Sequence, residues 1–126
     1  LLATGFGFAI PAGSTITAML YEVNVKTLTS SQPMALAAGV WGGSGQIGSD
    51  MNITAQTTLG YKTGSGNLPT VAQANDTNFG VGLYRASATT DTFSVDNFRI
   101  TITYTLPGGS APVKVSRVAV MRAATR

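Results

Sequence analysis

The sequence predicts an all-β domain, an antiparallel β-sandwich that is jelly-roll-like and carries a C-terminal extension. Three observations point there. From Phe98 to Thr105 the chain alternates strictly: Phe98, Ile100, Ile102 and Tyr104 on one face, Arg99, Thr101, Thr103 and Thr105 on the other. That period of two marks a strand with one dry and one wet face. Elsewhere Ile, Val, Thr, Phe and Tyr gather in short runs separated by Gly, Pro, Ser and Asn, the punctuation of strands and tight turns. Finally, the 126 residues include 15 glycines, are 44% hydrophobic and only 10% charged. Such a chain is long enough for one core and too apolar for disorder.

Taken in order, residues 3–10 place Phe6, Phe8 and Ile10 on one face of a first strand. PAGS at 11–14 is a turn, because proline fixes φ and Gly13 tolerates a positive one. Residues 15–27 form the next strand, with Met19, Tyr21, Val23 and Val25 inward. Ile16 is out of phase with that series, which predicts a bulge near Thr17–Ala18. LTSSQP at 28–33 is a loop. In MALAAGVW (34–41) the residues Met34, Leu36, Ala38 and Val40 share a face. Helix competes in MALAA, but the Gly-Val-Trp-Gly that follows favours strand. GGSGQIGSD reads as a glycine-rich loop and 51–59 as a weaker, polar strand anchored by Ile53. Residues 60–75 read mostly as loop, with one helical turn at VAQAN. Phe79, Val81 and Leu83 alternate within 78–86, and the pattern resumes weakly in VKVSRVAVMR after LPGGSAP. The organisation expected is a sandwich over 1–106 and a C-terminal arm or additional edge strand over 107–126.

Chemistry is constrained by absence. The chain has no cysteine and no histidine. Disulfides, thiolate or histidine metal sites, Ser-His-Asp triads and Cys-His pairs are therefore impossible within it. Five carboxylates exist: Glu22, Asp50, Asp76, Asp91 and Asp96. A two-carboxylate glycosidase would need a pair facing each other across a cleft, and Glu22, on the polar face of its strand, with Asp96, just before the last sandwich strand, is the one plausible pair. Acidic residues are mostly solvated, and Asp96-Asn97 also reads as a bulge. The acids of SD (49–50), NDTN (75–78) and TTDT (89–92) lack the density or spacing of a calcium loop. GGSGQIGS has no following Lys-[Ser/Thr] and no helix, so it is turn rather than phosphate cradle. No catalytic residue, cofactor or metal is expected. No stretch approaches the ~20 apolar residues that span a bilayer.

Two patterns remain as binding candidates. Trp41, Tyr61 and Tyr84 could stack on sugars. Lys114, Arg117, Arg122 and Arg126 are half of the eight basic residues, and no acid follows Asp96. They alternate with Val113, Val115, Val118 and Val120, which suits a strand or arm docking on another protein better than a nucleic-acid arm. Edge-strand charges that discourage aggregation give the same pattern.

The segments FGFAIPAGSTITAMLYEVNV (6–25), NFGVGL (78–83) and SVDNFRITITYT (94–105) resemble β-sandwich modules of tailed-phage virion proteins, a pattern also met in some bacterial surface proteins. Ala18 stands where that pattern usually has glycine, and everything after Pro107 lies outside it. The resemblance implies a virion-located structural protein, such as a capsid decoration (cement) protein or a head- or tail-fibre module. It would assemble with itself, for example as a trimer, and with a major capsid or other virion protein, without nucleic acid or membrane. It transfers no catalytic or ligand residue. The alternative is a carbohydrate-binding or adhesin module.

Overall fold

The computed structural model describes residues 1–65, 67–86, 92–109 and 111–125. Eight strands and one short helix occur among them: β1 (Leu2–Ala3), β2 (Thr15–Thr27), β3 (Gln32–Val40), β4 (Gly45–Ala55), β5 (Gly60–Ser65), α1 (Val71–Asn75), β6 (Phe79–Arg85), β7 (Phe93–Thr105) and β8 (Val113–Thr125). They form two four-stranded sheets, β1-β6-β3-β4 and β5-β2-β7-β8, in which every paired neighbour is antiparallel. The chain is a β-sandwich. The pairing is nested, β2 with β7 in the second sheet and β3 with β6 in the first, which is the inward wrapping of a jelly-roll-like fold. Two hairpins, β3–β4 and β7–β8, carry the sheets outward from those central pairs.

The inner faces follow the alternation of the sequence. Tyr21, Val23 and Val25 of β2 meet Phe98, Ile100 and Ile102 of β7, while Leu36, Val81 and Leu83 cover them from the first sheet; all nine are fully buried. β2 slips register between Ile16 and Ala18, at the bulge its phase change predicts. A second slip isolates Asp96 between Val95 and Asn97.

Three segments differ from the sequence expectation. Residues 4–12 are irregular, although Phe6, Phe8 and Ile10 are buried as a strand face would be. Gly5 takes a φ of +82°, which turns the chain out of line after β1, and the backbone N–H groups of Gly5, Phe6 and Phe8 bond to Thr77, Phe79 and Ala74 carbonyls. The glycine-rich stretch before Asp50 is strand from Gly45 onward, with Gly45 and Gly48 both at positive φ. Residues 60–65 are also strand, paired with β2 from Leu20 to Val25. VAQAN does form its helical turn. Thr70 caps it, its hydroxyl accepting from the Gln73 N–H while the Gln73 side chain accepts from the Thr70 N–H, a capping box.

Candidate interaction surface

The wet face of β7 lies at the centre of the outer surface of the second sheet. Register places it in three cross-strand rows: Tyr61, Asn24, Asn97 and Val120; then Thr63, Glu22, Arg99 and Val118; then Leu20, Thr101 and Ser116. Each row runs from β5 or β2 across to β8. Most polar members of these rows are bonded to one another or to Asp96. The Arg99 guanidinium donates to Glu22 at 2.5 Å and lies 4.7 Å from the centre of the Tyr61 ring, within cation–π range. Tyr61 donates its hydroxyl proton to Asn97 Oδ1 at 2.9 Å, and Asn97 Nδ2 donates to Asp96 at 2.8 Å. Asn24 Nδ2 reaches the same carboxylate oxygen at 3.3 Å. Across the next rung Thr101 and Ser116 hydroxyls are 2.7 Å apart.

Glu22 is almost buried, with 11% of its side chain exposed against 37% for Arg99. The hydrogen bond to Glu22, reinforced by its charge, holds the Arg99 pKa above its ordinary value. Glu22 and Asp96 thus belong to one network but do different things in it. Glu22 is committed to a guanidinium, and Asp96 accepts from two amides at a bulge. A pocket of about 190 Å³ elsewhere on the chain, lined by Lys26, Thr27, Leu28, Thr92, Phe93 and Ser94, contains neither carboxylate.

The aromatic candidates do not share one platform. Tyr61 is on the outer face of the second sheet, 45% exposed. Tyr84 points from the outer face of the first sheet, 36% exposed, and meets Trp41 edge-on with ring centres 6.4 Å apart. Trp41 and Tyr84 lie against the glycines of β3 and β6: a Cβ on Gly39 would stand 3.0 Å from the Trp41 ring, and one on Gly82 2.5 Å from the Tyr84 hydroxyl. Burial and, secondarily, the charge of Asp50 push the Tyr84 pKa up.

The basic candidates are also divided. Lys114 is exposed in line with Ser116 on the outer side of β8. Arg117 points the other way, its guanidinium 5.7 Å from the Phe8 ring, beside Val113, Val115 and Ala119, which pack against the core. The Arg122 side chain, Arg126 and Asp91 lie outside the described residues. On the outer side Val118 and Val120 are 56% and 65% exposed.

Sequence reasoning saw Arg99 and Asp96 as the charges of the wet face, but not the partners that fix them. The register signal was available: Glu22 and Arg99 are opposite charges at outward positions of strands whose inward positions match. Tyr61 is read as an exposed ring, but its contacts with Arg99 and Asn97 were hidden because its strand reads as loop. No family model matches this chain, and no curated protein or solved structure does either.

Proposed function

We propose that the chain is a structural subunit of a tailed-phage virion, a capsid decoration or head/tail-fibre module, which assembles with itself and with a major capsid or other virion protein. It works by surface complementarity rather than by catalysis. The outer face of the second sheet carries this reading. The polar groups at its centre are already paired in a pre-ordered lattice, so a partner can cover them without breaking those bonds, and preorganisation lowers the cost of association. At its β8 margin the lattice gives way to exposed valines, the apolar part of such an interface. Electron microscopy of particles from the native source is the test. Density for this sandwich at a repeating position, with β8 against a neighbour, is expected; a native form that never associates with particles overturns the reading.

A second reading, a carbohydrate-binding or adhesin module, is favoured by one observation, the Trp41–Tyr84 pair on the first sheet. Rings presented on a strand face suit sugar stacking. Glycan-array binding that is lost on Trp41→Ala and kept on Tyr61→Ala would support it over the structural role.

A further inference from the structure

We infer that the free edge of β8 is a strand-addition site for an extended, acid-bearing segment of another protein. The inference deepens the structural reading above by naming the mode and chemistry of one contact. It begins from how the four sheet edges are treated. An edge strand exposes unpaired N–H and C=O groups, and proteins normally blunt such edges. β1 has two residues and β5 six. β4 slips register against β3. Its Ser49 carbonyl is occupied by the Asn67 amide at 2.8 Å, and that side chain sits where a Cβ on Gly48 would be.

Over its first eight residues β8 is neither short, irregular nor covered; charge alone, on Lys114 and Arg117, guards it. From Val113 to Val120 it pairs with β7 in unbroken register, a run of about 27 Å at strand rise. No proline interrupts it. Among the described residues no backbone hydrogen bond joins it to any strand but β7. Four of the eight residues in this run are β-branched valines, Val113, Val115, Val118 and Val120, and the last two face outward beside the open edge.

Charge selects the occupant. Lys114 and Arg117 stand three residues apart, on opposite sides of the strand. β8 contains no acid, and none occurs in the chain after Asp96. Two copies of β8 side by side would stack cations on cations, and like charges on paired strands are destabilising. The complementary segment is extended, carries Asp or Glu three residues apart so that one acid reaches each cation, and presents a β-branched residue to Val118. Main-chain bonds supply affinity in this mode and the side chains supply selection.

The probe is a ten-residue valine/threonine peptide with two glutamates three residues apart. Its controls are the same peptide with lysines and one with a central proline. Binding is read by fluorescence anisotropy, and the location by amide hydrogen exchange over 113–120 in the whole chain. The glutamate peptide is expected to slow exchange in that segment alone. It should bind at least tenfold tighter than either control, weaken with salt, and lose its preference for glutamate in Lys114→Glu, a change at an exposed position. Three results overturn the inference: no slowing at millimolar glutamate peptide, equal binding of the lysine peptide, or concentration-dependent protection of 113–120 in the chain alone, which would give the edge to a second copy. Failure here with the chain found on particles removes strand addition and leaves the virion reading standing; the reverse pattern does the opposite.

Discussion

Thr27 ends β2 facing the core. It is 3% exposed, and its hydroxyl oxygen is buried without a hydrogen-bond partner. An unpaired buried hydroxyl costs more than the isosteric methyl. Thr27→Val should therefore stabilise the chain by about 1 kcal/mol, read as a higher denaturant midpoint at unchanged slope; a lower midpoint would mean that the hydroxyl has a partner in solution. Tyr21 makes the opposite point, because its partner is present. Asn67 donates to its hydroxyl at 3.1 Å. Burial nonetheless pushes its pKa above 10.0; the Asn67 bond partly offsets this and the charge of Asp50 adds to it. The sign follows from which state ionises first. The unfolded tyrosine loses its proton near pH 10 while the folded one keeps it, so full stability holds below that pH and falls as pH rises through the folded pKa. Tyr21→Phe should flatten that alkaline loss, although Tyr84, also raised, keeps part of it. Neither residue's polar environment is legible in the sequence. Alternation places Tyr21 inward, but Asn67 comes from a loop whose path no local pattern encodes.

Regular apolar alternation separates the elements that sequence reasoning recovers from those it does not. β2 and β7 are legible because one face is dry and the other wetter, β3 and β6 because large apolar residues alternate with Ala or Gly along strands buried on both faces, and the register bulge in β2 is legible from the phase of Ile16. The first half of β4 and all of β5 are not, because glycine and polar residues erase that contrast, whereas the second half of β4 is read through its buried anchor Ile53. Strand glycines also do different mechanical work. In β6, Gly80 lies under the start of the chain: a Cβ there would stand 1.9 Å from the Ala3 carbonyl oxygen, which is backbone and cannot step aside. Gly60, at the start of β5, has nothing within 4 Å of the same position. Gly80→Ala should cost about 1–3 kcal/mol, as overpacking does, and release β1. Gly60→Ala should stay within about 0.5 kcal/mol of the parent. Urea titrations of the pair measure this, with exchange of the Ala3 amide reporting β1. Equal stability of the two variants would show that β1 contributes little to holding the fold.

The whole molecule is closed by a segment that is neither strand nor helix. Residues 4–12 cross one end of the sandwich and insert Phe6, Phe8 and Ile10 into the core. Their alternation makes the burial readable in the sequence. The missing ladder is not readable, since it depends on where α1 and β6 arrive from much later in the chain. Asn75, the last residue of α1, is the pin. Its side chain accepts from the Ile10 N–H at 2.9 Å and donates to the Ile10 carbonyl at 2.9 Å, doing what a neighbouring strand would do. Asn75→Ala removes both bonds and leaves a half-buried backbone N–H and C=O to find water, a loss of about 1–2 kcal/mol. Asn75→Asp keeps the acceptor and loses the donor, so a smaller loss is expected. The loss should be local, because contacts at the end of a sheet open before its centre. Native-state hydrogen exchange distinguishes the cases. Faster exchange at Phe6, Phe8 and Ile10, with the amides of Val23 and Ile100 unchanged, is the expected result. If all five accelerate together, the segment folds as one unit with the sheets, and Asn75 contributes to the global transition rather than to a separately opening clasp.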